Sequence, residues 1–196
     1  MRKVIATESV TLDGVLQAPG RPDEDTRGGF EHGGWAIPYA DEVMARAMGE
    51  RMQMAEGGLL VLGRRTYEDF AGFWPKQKDN PYTDALNRAD KLVASTTLKE
   101  PLPWQNSRLL EGDAVNAVAK LKEEPGEDLG ILGSGELVRS LIRRDLIDEY
   151  VLLIHPLVLG SGQRLFPEGP VARLELAETV TTTTGVVIAT YRRAAE

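Results

Sequence analysis

Two stretches of this chain share one layout, and that layout leaves few folds open. LLVLG (Leu59 to Gly63) is an apolar run that ends in glycine, and RRTYEDF follows it as a short helix. LGILG (Leu129 to Gly133) is a second such run, and SGELVRSLI follows it. In the second, Leu137, Val138, Leu141 and Ile142 recur at the spacing of one helix face. Each stretch reads as a buried strand, a glycine turn and a helix. Strands that alternate with helices imply a largely parallel sheet with helices on its faces.

The rest of the chain extends this pattern. Val4 to Val10 reads as a first strand, and Asp41 to Met54 as a helix with Asp41 as its cap. Gln17 to Trp35 is rich in glycine, proline and charge, has no apolar periodicity, and reads as a long loop. Phe73-Trp74-Pro75 breaks the helix that starts at Arg64 and runs to Phe70. Lys91 to Thr96 is the next strand, and Ala114 to Lys122 is an amphipathic helix capped by Asp113. Glu149 to Leu159 is a long strand. Arg173 to Val180 and Gly185 to Arg192 are the arms of an antiparallel hairpin. No repeat, low-complexity tract or linker divides the chain, so residues 1–196 are expected to form one α/β domain.

Composition excludes several functions. With 42% hydrophobic and 27% charged residues, the 196-residue chain is ordinary for a globular protein. No apolar run is long enough to span a bilayer, so no membrane partner is expected. The start, MRKVIATESV, turns polar too soon for a secretory signal. The absence of cysteine excludes disulfides and thiolate chemistry. A cytoplasmic location is the expectation. A net charge of -7 argues against nucleic acid, whose binding runs on phosphate neutralisation. His32 and His155 are the only histidines, so no metal site is expected.

Three motifs point to an anionic ligand. In VLGRRTYEDF, the free N–H groups of a helix start, the Thr66 hydroxyl and the guanidiniums of Arg64 and Arg65 follow a strand and Gly63. The plainer reading is a solvated turn. Yet arginine at a helix N-terminus opposes the macrodipole unless something anionic is near. VASTTL puts the Ser95 and Thr96 hydroxyls after another strand, although taken alone an ordinary strand exit with turn-forming Ser and Thr is the better reading. Gly133-Ser134-Gly135 opens the backbone to close approach by a pyrophosphate, or merely makes a turn. The dinucleotide fingerprint G-x-G-x-x-G is broken there, because its third glycine would fall at Val138. Together the three lie at the C-terminal ends of predicted parallel strands, where open α/β sheets bind ligands. Asp13-Gly14 borders that face. His155, Trp35 and Phe166 read first as packing residues and second as substrate contacts.

Seven motifs in order resemble the RibD C-terminal domain family, the reductase domain of bifunctional riboflavin biosynthesis proteins. They are TLDG (Thr11 to Gly14), GRRTYE (Gly63 to Glu68), KLVAST (Lys91 to Thr96), LGSGEL (Leu132 to Leu137), LIDEY (Leu146 to Tyr150), HPLVLGSGQRLF (His155 to Phe166) and GVVIATY (Gly185 to Tyr191). The resemblance implies a dihydrofolate reductase-like three-layer fold, with a mostly parallel twisted central sheet and antiparallel C-terminal strands. It also implies NADPH across the strand ends. By motif, Gly63, Arg64, Arg65 and Thr66 would hold NADPH phosphates. Ser95 and Thr96 would lie near the adenosine ribose and its 2′-phosphate. Gly133, Ser134, Gly135, Glu136 and Leu137 would receive the pyrophosphate, and Thr7 would border the nicotinamide. Asp13, Trp35, His155 and Phe166 are the candidate substrate contacts. No residue stands out as the catalytic acid.

The chain also departs from relatives of that fold. Dihydrofolate reductases place a carboxylate on the first helix, and the matching position here is near Ala47, so dihydrofolate reduction is not expected. No zinc-binding deaminase set is present. The expectation is an NADPH-dependent reductase of a small heterocycle or a related C=N or C=O compound, similar to the 5-amino-6-(5-phosphoribosylamino)uracil reductases. The competing expectation is a catalytically weak nucleotide-binding paralogue. A homodimer is implied by the family's habit and by the edge of the terminal strands.

Overall fold

Every expected strand-to-helix passage is present in the computed structural model, which describes residues 1–54, 58–78, 80–166, 168–169 and 171–194. The residues group into two compact units. One comprises Met1–Ala6 and Met48–Ile147, the other Thr7–Ala47 and Asp148–Glu196. Strand β1 (Val4–Thr11) and helix α1 (Glu42–Met54) each pass from one unit into the other.

The first unit is a parallel α/β layer. Its strands are β2 (Leu59–Gly63), β3 (Asp90–Ala94), β4 (Ser107–Leu109) and β5 (Leu129–Leu132). They lie in the order β4-β3-β2-β5, with the start of β1 beside β5. The pairs β2–β3, β2–β5 and β3–β4 are all parallel. Helices α2 (Arg64–Phe73), α3 (Pro81–Arg88), α4 (Ala114–Glu123) and α5 (Gly135–Arg143) connect them. Parallel strands are buried on both faces, which is why LLVL and LGIL read as unbroken apolar runs. Leu60, Leu62, Tyr67, Leu86, Val93, Trp104 and Leu132 form its main core.

The second unit is antiparallel. Strands β6 (Glu149–His155), β7 (Leu174–Thr181) and β8 (Val187–Arg193) follow the later residues of β1 in the order β1-β6-β8-β7. β8 pairs antiparallel with both β6 and β7, with a bulge between Leu176 and Glu178. Val15, Ala18, Phe30 and Trp35 form a separate small core. The stretch 17–35 is therefore packed, despite its lack of periodicity. Its order comes from hydrogen bonds: the buried Gln17 side-chain amide donates to the carbonyls of Asp25 and Arg27 at 3.1 and 2.9 Å.

Several boundaries differ from expectation, for local reasons. The strand expected through Leu159 ends at His155, because Pro156 has no N–H to continue the ladder. The strand expected through Thr96 ends at Ala94, because the Ser95 hydroxyl accepts from the N–H groups of Thr97 and Leu98 and turns the chain. Helix α3 and the three-residue β4 were not anticipated. The α3 signal was present: Asn80 caps the helix through Tyr82 N–H at 3.0 Å, and Pro81 starts it. Asp41 caps α1 as expected, accepting from Met44 N–H at 2.8 Å.

Lys91 is fully buried on β3. Its ammonium donates to the carbonyls of Leu86 and Ala89 at 2.7 and 2.6 Å and lies 4.5 Å from the Trp104 ring centroid. It satisfies the carbonyl end of α3. Burial pushes its pKa down to about 8 from the ordinary 10.5. The unfolded chain therefore holds this proton to higher pH than the folded one, so the ammonium's burial penalty disappears as pH rises from about 8 to 10.5. In urea unfolding, wild type should gain stability relative to Lys91→Met across that window, by at most about 1.4 kcal/mol per pH unit. A gap independent of pH would show that the ammonium is not desolvated.

Candidate functional site

Register brings the three sequence motifs to one edge of the first unit. Gly63 pairs with Ala94, so Arg64 and Ser95 leave β2 and β3 at the same level. Leu59 pairs with Leu129 and Leu60 with Gly130, and the same offset carries Gly63 to Gly133. Parallel neighbours lie about 4.8 Å apart, so the three strand exits form one continuous lip.

The lip is clipped together by side chains. Ser134 N–H donates to Thr66 Oγ1 at 3.0 Å, and Gly63 N–H donates to Ser134 Oγ at 2.9 Å. Ser134 Oγ donates in turn to the Leu132 carbonyl at 3.2 Å. The Ser134 hydroxyl is thus engaged in joining the two turns, whereas Thr66 keeps its own proton to donate. Gly133 and Ser134 both take left-handed conformations, at φ 54° and 63°. A Cβ on Gly133 would touch the Thr66 methyl at 3.4 Å.

What distinguishes this edge is how its helices begin. α1, α3 and α4 are capped by the side chains of Asp41, Asn80 and Asp113. α2 and α5, which begin on the lip, have no side-chain cap. Their first N–H groups, those of Gly135, Glu136 and Leu137 in α5, have no carbonyl one turn back to bond. α2 has no acidic residue in its first turn and carries Arg64 and Arg65 instead. Arg64 reaches Glu68 at 3.1 Å, and Arg65 lies 3.8 Å from Glu136. Both arginines are well exposed, and exposed pairs of this kind hold weakly. Ser95 is partly buried and Thr96 exposed beside them. The arrangement offers backbone donors, a helix dipole and cations to an anion.

The other candidates belong to the second unit. Thr7 lies half-buried on β1. Asp13 joins two loops: its carboxylate accepts from the Thr11 hydroxyl at 2.6 Å and from the N–H groups of Leu159 and Gly160 at 3.2 and 2.9 Å. Arg164 Nε donates to the Asp13 carbonyl at 2.9 Å. The turn after Leu157 is thereby held against TLDG. Gly162 in that turn has φ 110°, and a Cβ there would meet the Phe30 ring at 2.7 Å. His155 is buried, with Nδ1 2.9 Å from the Leu153 carbonyl. The Trp35 and Tyr39 rings meet its imidazole edge to face at 5.0 and 5.5 Å. Burial lowers the His155 pKa, so the ring stays neutral. Trp35 is buried, and its indole N–H donates to the Gln17 carbonyl at 2.7 Å. Phe166 is half exposed, its ring 5.6 Å from that of Tyr150 and tilted by 58°. Sequence reasoning missed Tyr39, Gln17 and Arg164. Of these, only Arg164 lay inside a motif already singled out.

The family model of the RibD C-terminal domain matches residues 2–188. The chain belongs to the RibD C-terminal domain family. Over 198 residues it is 29% identical to "Uncharacterized protein YyaP" of Bacillus subtilis (strain 168), covering 97% of this chain and 94% of that one. It is 32% identical over 109 residues to "Uncharacterized protein YwjB" of the same organism, covering 56% and 58%. Its fold is that of the crystal structure of a "Putative riboflavin biosynthesis protein" from Shewanella sp. PV-4, with a TM-score of 0.67 at 23% identity over 98% of this chain and 99% of that one. RibD C-terminal domains are of reductase type and typically use a nicotinamide cofactor, so the role of this chain is reductase-like. No described helix is long and apolar enough to cross a membrane.

The contacts of Asp13 carry a prediction. They hold its pKa down to about 2 from the ordinary 3.8, led by the Thr11 hydroxyl. The stabilisation is fully present above 3.8 and is lost as pH falls through about 2. Asp13→Asn should cost about 2 kcal/mol in chemical unfolding at pH 7. The gap should narrow towards pH 2. An unchanged midpoint at pH 7 would show that the two loops hold without it.

Proposed function

We propose that this chain is an NADPH-dependent reductase of a small heterocycle or a related C=N or C=O compound. One observation carries the reading: the two helices that start on the lip lack the side-chain caps that α1, α3 and α4 possess, and α2 opens on two arginines with no acid in its first turn. A cofactor diphosphate fits that donor set. The N–H groups of Gly135, Glu136 and Leu137, the Thr66 hydroxyl and the Arg65 guanidinium would hold the diphosphate. Arg64, with Ser95 and Thr96 at the same level, would hold a 2′-phosphate, which is what separates NADPH from NADH.

Bound NADPH supplies a hydride to the electrophilic carbon of a C=N or C=O bond, and a proton completes the reduction at nitrogen or oxygen. The protein's part is to bind, align and exclude water. His155 is neutral, and its Nδ1 faces the Leu153 carbonyl, so Nδ1 carries the hydrogen and Nε2 is left as an acceptor. A ring in that state orients a substrate N–H or O–H but brings no proton. The proton is therefore assigned to water.

Arg64→Ala should weaken NADPH binding at least tenfold and NADH binding little, measured by fluorescence titration. Equal loss for both cofactors would move the 2′-phosphate to Arg65. Tight NADPH binding without turnover across a panel of heterocycles would instead favour a binding paralogue. We further propose a homodimer formed through β7, the terminal strand, which is exposed along most of its length. Light scattering should give twice the chain mass, and a monomeric mass would refute this.

A further inference from the structure

Ser134 stands at the centre of the Gly133-Ser134-Gly135 turn, yet it has no donor left for a ligand. A serine has two donors, its backbone N–H and its hydroxyl. Both are spent within the first unit: the N–H goes to Thr66 Oγ1 at 3.0 Å and the hydroxyl to the Leu132 carbonyl at 3.2 Å. The hydroxyl oxygen also accepts the Gly63 N–H at 2.9 Å, and the Ser134 carbonyl accepts the Val138 N–H of α5 at 3.0 Å. One residue thus bonds to the end of β2, the start of α2, the end of β5 and the first turn of α5. A serine at φ 63° carries a cost that glycine would not. Backbone freedom alone would therefore favour glycine here, and the hydroxyl is what serine adds. The consequence falls on Thr66. Its oxygen takes the Ser134 N–H, which directs its own O–H elsewhere, and that O–H has no acceptor among the described residues.

We infer that Ser134 is a positioning residue for the cofactor diphosphate. It donates to no part of NADPH. Instead it fixes the start of α2 against the start of α5, so that the Thr66 hydroxyl and the first amides of α5 converge on one anion. The inference rests on the reductase reading above, which supplies the diphosphate, and deepens it. A diphosphate that bridges two helix starts needs both at a fixed separation, because hydrogen bonds weaken steeply as their angle and length depart from the optimum. The 2′-phosphate is outside this dependence. Its proposed donors, Arg64, Ser95 and Thr96, lie at the exits of β2 and β3, which the strand ladder joins at Gly63 and Ala94.

The test compares Ser134→Gly and Ser134→Ala with wild type, each as the whole chain. Glycine suits the left-handed backbone and loses only the hydroxyl, whereas alanine loses the hydroxyl and keeps the strain. NADPH and NADH are titrated by fluorescence. Adenosine 2′-monophosphate, which carries the 2′-phosphate without a diphosphate, is titrated by NMR. Both variants are expected to weaken NADPH and NADH by the same factor, about fivefold or more, which is what one lost hydrogen bond is worth. Adenosine 2′-monophosphate is expected to bind all three proteins alike. In urea, Ser134→Gly is expected to unfold at no lower a midpoint than Ser134→Ala, so that affinity and stability part company. Unchanged dinucleotide affinity in either variant overturns the inference. So does an equal loss for adenosine 2′-monophosphate, which would mark a general loosening of the edge. A loss confined to NADPH also overturns it, because the clip would then serve the 2′-phosphate. A wild type that binds neither dinucleotide sinks the reductase reading and the inference with it.

Discussion

The first unit depends on a clip between two turns. Ser134 donates its backbone N–H to Thr66 and receives the Gly63 N–H on its hydroxyl, which ties the start of α2 to the start of α5. Without it, two left-handed residues in succession would have little to hold them. With it, three parallel strands end at one level and two helices begin there with their amides unspent. The anion-binding character of the edge follows from that geometry rather than from any single basic residue.

A different constraint organises the second unit. Its segment 17–35 has no regular periodicity and still buries Gln17, Ala18, Phe30 and Trp35. Order comes from polar side chains that bond to backbone. Gln17 bridges the carbonyls of Asp25 and Arg27 and accepts from Gln163 N–H at 3.0 Å, while Asp13 gathers Thr11, Leu159 and Gly160. Asp41 does the same between α1 and the β7–β8 turn, accepting from the Thr183 N–H and hydroxyl at 2.6 Å each. Asp13 and Asp41 are thus accounted for by loop architecture.

The broken glycine fingerprint has a simple meaning in this setting. Val138 is fully buried on the body of α5, where a third glycine would leave a void. The turn needs freedom only at Gly133 and Ser134, and the Ser134 conformation is stabilised by its bonds to Thr66 and Gly63. An αL residue that is not glycine shows that the clip, and not backbone freedom alone, shapes this edge.

Much of this was legible in the residues. Apolar runs bounded by glycine marked β2 and β5, and helical spacing with acidic caps marked α1 and α4, because burial and capping act over a few neighbouring residues. Seven short motifs in order were enough to name the family. Helix α3 escaped only because its Asn-Pro start lay in a polar stretch, and β4 because three residues carry no period. Other features have no local signature. Lys91 looked like the polar first residue of a strand, and only packing shows it enclosed beneath Trp104 at the end of α3. Tyr39 and Gln17 matter through partners more than 100 residues away. Local sequence determined which elements form and which turns offer donors to an anion. Tertiary structure decided which of those donors are already spent, because a hydrogen bond between distant residues depends on where the fold brings them.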